Sequence, residues 1–135
     1  MPTTYIIYAD RGYVHTIYTG EVTIADMIGQ FHRLNADPMF KRGMDTIVDF
    51  SGTSTAMMFD EAYAFSDHLR KVHLDRGPCR WALVVPENFQ FGIANMFLAF
   101  FEGIAIDIKP FRSLEEARKW IIEGREKAVE PDYKP

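Results

Sequence analysis

The chain has very little cysteine and no pattern of histidines typical of a metal site. Cys79 is the only cysteine in 135 residues, which excludes an internal disulfide and a metal cage built from cysteine ligands. The four histidines lack ligand spacing, since His68 and His73 lie five residues apart and no HExxH motif occurs. We therefore predict no bound metal and no cofactor.

Long apolar segments and basic clusters are also missing. The longest apolar stretch, ANMFLAFFEGIAI, is interrupted by Glu102 and Gly103 and falls short of the roughly 20 apolar residues that span a bilayer. The start, MPTTYIIYADRGY, does not have the basic and apolar segments of a signal peptide. The formal net charge is -4 and Lys and Arg are not clustered, so nucleic acid is not expected as a partner. We expect a soluble, cytoplasmic protein without a membrane span.

The segments that are present alternate between strand and helix patterns. TYIIYA and YVHTIYT are β-branched and aromatic runs separated by Asp10 and Gly12, which predicts an antiparallel hairpin. After the hairpin, apolar residues at helical spacing alternate with short apolar runs. This pattern predicts helices near 24–36, 58–75, 88–102 and 114–123, and strands at 45–50, 80–85 and 106–111.

The order of these segments predicts the fold class. It is α/β: a mixed sheet with an N-terminal antiparallel hairpin, then parallel strands, and four helices. Pro110 cannot donate a hydrogen bond to a neighbouring strand, so the last strand is expected at an edge of the sheet. Residues 1–123 are expected to form a single domain, and 124–135 a helix end with a polar tail.

Three stretches of the sequence resemble STAS domains, the fold of bacterial anti-sigma factor antagonists. TIVDFSG is similar to the STAS strand that ends in Asp, an apolar residue, Ser and Gly. RWALVVPENFQFGIANMF and IKPFRSLEEARKWI resemble the SpoIIAA-like branch of that group, also described as STAS/SEC14. The likeness covers about residues 4–123. It implies a STAS-like sheet with four helices, no catalytic centre and a non-enzymatic, regulatory role.

The resemblance also implies a position for a regulatory phosphorylation. In the antagonists, a Ser at the start of the helix that follows this strand is phosphorylated by a partner kinase, and phosphorylation breaks partner binding. Here Asp60 matches the Asp of that motif, whereas Glu61 stands where the Ser should be. This departure argues against a phosphoswitch at that position.

The loop after the third strand is rich in hydroxyl groups. Open α/β sheets bind ligands between the C-terminal end of a strand and the N-terminus of the next helix, so a regulatory or docking loop is one interpretation. The interpretation that we favour is that Ser and Thr satisfy backbone groups where a buried strand ends. The residues concerned are Ser51, Gly52, Thr53, Ser54, Thr55, Asp60 and Glu61.

The third helix is apolar on two sides. Two stripes recur at helical spacing on nearly opposite sides: Ile93, Phe97, Phe100 and Ile104, and Phe91, Ala94, Leu98 and Phe101. One stripe can face the sheet, so the other needs cover from the rest of the domain, from a ligand in an apolar pocket between helices, or from a second subunit. The predicted ligand or partner surface consists of Phe91, Met96, Phe97, Leu98 and Phe101.

These patterns leave three hypotheses for the function. The first is a non-enzymatic regulatory or protein-interaction module that binds a regulatory protein through the loop and the third helix. The second is a carrier or sensor of a small lipid or apolar ligand bound at the aromatic-rich third helix. A homodimer is expected under both. The third, ranked last, is an acid/base hydrolase that uses carboxylates from the set Asp45, Asp49, Asp60 and Glu61.

Overall fold

Within residues 3–53 and 59–132, which a computed structural model describes, a five-stranded mixed sheet is covered by four α-helices. Side chains are described for all of these residues except 59–60, 89–90 and 125–132. The strands are β1 Thr3–Tyr8, β2 Tyr13–Gly20, β3 Asp45–Thr53, β4 Cys79–Val84 and β5 Ile106–Phe111. The helices are α1 Ile24–Asn35, α2 Phe59–Arg76, α3 Asn88–Phe97 and α4 Leu114–Asp132, and a 3-10 turn, Leu98–Phe101, follows α3.

The strands lie in the sheet in the same order as in the chain. β1 and β2 pair antiparallel, with Thr3 opposite Tyr18, and the remaining neighbours pair in parallel. The predicted α/β class, with its N-terminal hairpin followed by parallel strands, is confirmed. β5 lies at an edge of the sheet, as Pro110 indicated.

The helices divide unequally between the two faces of the sheet. Side chains alternate along each strand, so Thr46, Val48 and Trp81 point to one face while Ile47 and Ala82 point to the other. α1 and α2 pack on the first face, which α3 also covers, because successive right-handed crossovers in one direction place their helices on the same side. α4 covers the opposite face alone, through Ala117 and Ile121. We call these the three-helix face and the α4 face.

Local signals explain where α1 and α2 begin and end. At the start of α1, the Asp26 amide donates to Thr23 Oγ1 at 3.1 Å and the Thr23 amide donates to Asp26 Oδ2 at 2.9 Å, which completes the capping box that the sequence indicated. α2 ends where Gly77 adopts a φ of 83°, and its amide donates to His73 O at 3.2 Å. Glycine is the residue that takes this left-handed conformation without steric cost.

Three elements end at other residues than the sequence predicted. β3 continues to Thr53, because Thr19 and Gly20 of β2 pair with its last residues beyond a bulge. α3 ends at Phe97 and tightens into the 3-10 turn. The carbonyls of Phe100 in this turn and of Glu102 directly after it accept hydrogen bonds from Arg70 of α2 at 2.6 and 2.8 Å. α4 continues past Gly124 to Asp132, in a segment rich in strong helix formers.

The long helices are not membrane helices. α2 and α4 have 18 and 19 residues, but many of these are charged. Among the residues that the structure describes, no helix combines the length and the apolar character needed to cross a bilayer.

Candidate ligand-binding cavity

A cavity of about 130 Å³ lies on the three-helix face, between the sheet and the helices α1, α2 and α3. Its walls are mainly apolar and include Phe31, Phe65, Leu83 and Phe97. Protein interiors are packed as densely as organic crystals, so a space of this size inside a small domain is unusual. An engineered apolar cavity of about 150 Å³ accepts benzene, so this space encloses a group of roughly that size, and the rest of a longer ligand extends beyond it.

The floor of the cavity follows from the register of the strands. Thr46 of β3 stands opposite Trp81 of β4, and Trp81 stands opposite Ile108 of β5. Two residues further along the strands, Val48 stands opposite Leu83. All of these side chains line the cavity, because residues two apart on a strand point to the same face.

The roof is tight at α1 and α2 and looser at α3. The side chains that α1 and α2 contribute are all buried: Met27, Gln30, Phe31, Leu34, Phe65 and Arg76. α3 and its 3-10 turn contribute Ile93, Ala94, Phe97, Leu98 and Phe101, of which only Phe97 is fully buried. The least enclosed part of the wall is therefore the underside of α3.

The predicted apolar surface on α3 is divided by the structure. Phe97, Leu98 and Phe101 line the cavity. Phe91 lies outside it, with the Arg112 guanidinium 5.3 Å from its ring centroid, and Met96 points to solvent with 69% of its surface exposed. The prediction that the two stripes lie on opposite sides was wrong. Both contribute to the cavity, because Ile93 and Ala94 are consecutive residues of α3 and point only about 100° apart around the helix axis.

The most buried charged side chain lies in the cavity wall. Arg76, the last residue of α2, is 1% exposed, and its Nε donates to Asn35 Oδ1 at 2.6 Å while its Nη2 donates to Phe31 O at 3.1 Å. The guanidinium carbon lies 4.4 Å from the ring centroid of Phe31 and 5.5 Å from that of Trp81. Burial lowers the pKa of Arg76 to about 10, which leaves it protonated at neutral pH.

Three buried polar atoms in the wall have no hydrogen-bond partner among the described residues. They are Gln30 Nε2, Thr46 Oγ1 and Trp81 Nε1, and all three residues line the cavity. The orientation of the Gln30 amide is fixed, because its oxygen accepts a hydrogen bond from Arg33 Nη2. A buried polar group without a partner costs about 1–3 kcal/mol, so water or a ligand is expected to occupy the space beside these atoms.

The hydroxyl-rich loop is held partly by its own backbone. The Ser51 amide and hydroxyl both donate to Asp49 Oδ1, and Thr53 Oγ1 donates to Phe50 O at 2.7 Å. These bonds are of the kind expected where a strand ends. Ser51 and Gly52 are exposed, and Thr53 also lines the cavity. Of the other predicted residues, Ser54, Thr55 and the side chain of Asp60 lie outside the described part of the chain, and Glu61 is half-buried in the first turn of α2.

The carboxylates of β3 serve separate contacts on the α4 face. Asp45 Oδ1 accepts from the Arg80 amide at 2.8 Å, and Asp49 Oδ2 lies 3.0 Å from His15 Nε2. Asp45 and Asp49 are four residues apart on one strand, or roughly 13 Å, which is too far for two carboxylates that act on one bond. Burial alone would raise the pKa of Asp49, but hydrogen bonds from His15 and Ser51 outweigh it and lower the pKa.

Arg76 and the paired histidines were missed by the sequence reasoning. An Arg in the last turn of a helix is ordinary, and its partners lie 41 and 45 residues away in the chain. His32 Nε2 and His68 Nε2 lie 2.9 Å apart between α1 and α2, although nothing in their spacing indicated a contact. Within residues 3–53 and 59–132, no group of three or more His, Cys, Asp or Glu could hold a metal ion.

Comparisons with known proteins found no relative of this chain. No protein-family model matches the chain, and neither the curated proteins nor the solved structures include a significantly similar one, so the cavity and its polar wall are the basis for a proposed function.

Proposed function

We propose that the protein is a non-catalytic binding module that carries or senses a small, largely apolar ligand. The observation that supports this proposal is the cavity of about 130 Å³ on the three-helix face, whose wall is mainly apolar and contains three buried polar atoms without protein partners. Small-molecule sites have this composition: an apolar enclosure with a few polar groups that orient the ligand.

The chemistry of the wall supports binding rather than reaction. The side chains that line the cavity include Thr, Gln and Arg but no carboxylate and no histidine among the described residues. Cys79 is buried, and burial raises the pKa of its thiol to about 12, so it stays protonated and is a poor nucleophile at neutral pH. General acid/base catalysis requires a group that exchanges protons near the working pH.

The position of α3 supports an entry route for the ligand. Ile93, Ala94 and Leu98 line the cavity and are only partly buried. The C-terminal end of the segment is attached to α2 through Arg70, which donates to the carbonyls of Phe100 and Glu102. A ligand that enters beneath α3 therefore displaces neither α1 nor the buried side of α2.

A regulatory role in a cytoplasmic, STAS-like protein is the second part of the proposal. It rests on the resemblance of TIVDFSG to the STAS strand and on the order of the elements. Exposed apolar side chains next to the cavity, Met96 at 69% and Tyr63 at 60%, favour a protein contact or a homodimer on this side. Size-exclusion chromatography of the wild-type protein and of Met96→Glu tests the dimer. A monomer at all concentrations of the wild type contradicts it.

The ligand-binding proposal is tested by filling the cavity. Ala94→Leu adds three carbons to a side chain that lines the cavity, and Ala99→Leu makes the same change at an exposed position in the 3-10 turn. Indole, a neutral apolar probe, is titrated into each protein by calorimetry. We expect at least tenfold weaker binding to Ala94→Leu and unchanged binding to Ala99→Leu, because only the first occupies the ligand volume.

Two results contradict this proposal. The first is equal affinity for indole in the two variants, which would place the probe elsewhere on the surface. The second is that the wild-type protein binds no indole and also carries no co-purified hydrophobic mass in native mass spectrometry, which would indicate a cavity filled by water alone.

A further inference from the structure

The polar end of the cavity contains a buried cation without a counter-ion. Arg76 is 1% exposed, and the groups that accept its hydrogen bonds, the Asn35 side-chain oxygen and the Phe31 carbonyl, are both neutral. Within the described residues, no carboxylate forms an ion pair with it. A buried charge in a protein is normally paired, so the arrangement lacks a negative group.

The titratable side chains nearest Arg76 do not supply that charge. Tyr18 and Cys79 are the groups whose charge would favour a protonated Arg76. Burial raises the pKa of Tyr18 well above its usual value and that of Cys79 to about 12, so both are neutral when Arg76 is protonated. The three aromatic rings around the guanidinium, those of Phe31, Phe40 and Trp81, offer partial compensation through their π faces and no net charge.

The unpartnered atoms in the wall of the same cavity are mainly donors. Gln30 Nε2 and Trp81 Nε1 can only donate, and Thr46 Oγ1 can donate or accept. The acceptor atom of Gln30 is already used by Arg33. A group that fits these atoms must accept several hydrogen bonds and carry a negative charge.

Thr46, Trp81 and the Arg76 guanidinium lie at one end of the cavity. Thr46 and Trp81 are near the N-terminal ends of β3 and β4, whereas Val85 and the α3 residues Ile93 and Ala94 line the other end. Four residues of extended chain separate Trp81 from Val85, which gives the cavity a length of roughly 13 Å along the strands. The space is therefore long, with a cationic, donor-rich inner end and apolar walls towards α3.

We propose that the ligand is a small monocarboxylic acid with an apolar body, whose carboxylate binds Arg76, Gln30 and Trp81 while its hydrocarbon part extends towards α3. This inference rests on the proposed function and specifies the chemical class of its ligand. One negative charge matches one buried cation, and a planar carboxylate accepts charge-assisted hydrogen bonds from guanidinium and amide donors. A neutral lipid leaves Arg76 uncompensated, and a cation is repelled.

The test compares two ligands of the same shape, octanoate and octanamide, by calorimetry at neutral pH. We expect octanoate to bind the wild-type protein about tenfold or more tightly than octanamide, because hydrogen bonds to a charged group are stronger than those to a neutral one. Arg76→Gln removes the charge and should abolish this preference, and the readout is the ratio of the two affinities, because the shorter side chain affects both ligands alike.

A measurement on the wild-type protein covers the case in which Arg76→Gln does not fold. The carboxyl carbon of ¹³C-labelled octanoate is followed by NMR as the pH is lowered. A cationic partner favours the ionised form, so the bound carboxyl group should have a lower pKa than the free acid. A bound pKa equal to or above that of the free acid overturns the inference.

The outcomes separate this inference from the proposed function. If octanamide binds as tightly as octanoate, or more tightly, the cavity takes neutral ligands: the carboxylate inference is wrong and the carrier or sensor function stands. If neither binds but indole does, the inference is again wrong and the function stands. If octanoate, octanamide and indole all fail to bind and native mass spectrometry finds no co-purified hydrophobic mass, both are wrong and the cavity holds only water.

Discussion

Thr46 and Trp81 stand opposite each other on β3 and β4, and within the described residues neither the Thr46 hydroxyl nor the Trp81 indole N–H has a hydrogen-bond partner. Both side chains are buried, at 2% and 6% exposure, and both line the cavity. Such a pair raises the free energy of the empty protein and becomes favourable when a polar group enters.

Replacing Thr46 with Val should stabilise the ligand-free protein. Valine has nearly the same shape and removes a buried hydroxyl that lacks a partner, so we expect the free energy of unfolding to rise by about 1 kcal/mol. Urea unfolding of the ligand-free protein measures this change. Thr4→Val, at an exposed position of β1, is the matched control and should change the stability by less than about 0.5 kcal/mol. A loss of stability in Thr46→Val would show that an ordered water binds the hydroxyl.

Supplying Arg76 with a counter-ion should oppose ligand binding. Asn35→Asp keeps the shape of the side chain and places a carboxylate where Arg76 Nε now donates at 2.6 Å. We expect the free energy of unfolding, measured by thermal unfolding, to rise by about 1 kcal/mol, because a hydrogen bond to a charged group replaces a neutral one. Calorimetry should show weaker binding of octanoate with little change for octanamide. An equal loss of affinity for octanoate and octanamide would mean that Arg76 does not distinguish a charged ligand from a neutral one.

The pair formed by His15 and Asp49 should make part of the stability depend on pH. His15→Gln is expected to lower the free energy of unfolding by about 1 kcal/mol at neutral pH, since a more flexible amide replaces the imidazole beside a buried carboxylate. The pKa of Asp49 in the folded protein is lower than the ordinary value of 3.8 for an aspartate, so the contribution of the carboxylate is present above about pH 4 and is lost as the pH falls through the lowered pKa.

Urea unfolding of the wild type and of His15→Gln at several pH values measures this difference, which should shrink below about pH 4. Lys71→Gln serves as a control, because Lys71 and Asp67 form an exposed pair at 3.3 Å that contributes little. A difference between wild type and His15→Gln that is independent of pH would assign the effect to packing.

The glycine that ends α2 should not tolerate a side chain. Gly77 has a φ of 83°, and a Cβ at this position would lie 2.8 Å from Arg42 Cγ and 3.2 Å from the Gly43 amide nitrogen. Gly77→Ala is expected to lower the free energy of unfolding by about 1–2 kcal/mol. Gly29→Ala, at an open position in α1, should instead raise it by up to about 1 kcal/mol. Thermal unfolding followed by circular dichroism distinguishes the two variants. An unchanged stability in Gly77→Ala would contradict the strain expected at this position.

The elements with strong local signals were predictable from the sequence. The hairpin was indicated by Asp10 and Gly12 between two β-branched runs, and the start of α1 by Thr23 and Asp26. The continuous apolar run at the start of β3 predicted a strand covered on both faces, and residues 45–49 are buried. These features depend on residues close together in the chain, which is why pattern alone was sufficient.

The polar end of the cavity was not predictable in the same way. The surplus of apolar residues in α3 indicated that something must cover it, but no glycine or proline marks the change from helix to 3-10 turn after Phe97. Arg76, Gln30 and Thr46 come from three separate elements and meet only when the parallel strands have paired. Contacts that depend on tertiary packing leave no local pattern in a single sequence.

The unequal distribution of helices has a consequence for how the molecule responds to its ligand. α4 packs through Ala117 and Ile121 on the face away from the cavity, and none of its described side chains, 114–124, lines the cavity wall. Filling the cavity therefore tightens the layer formed by α1, α2 and α3 and leaves the packing beneath α4 as it was. Amide hydrogen exchange should slow in that layer on saturation and stay constant in α4, so that one half of the domain acts as a rigid base for an adaptable half.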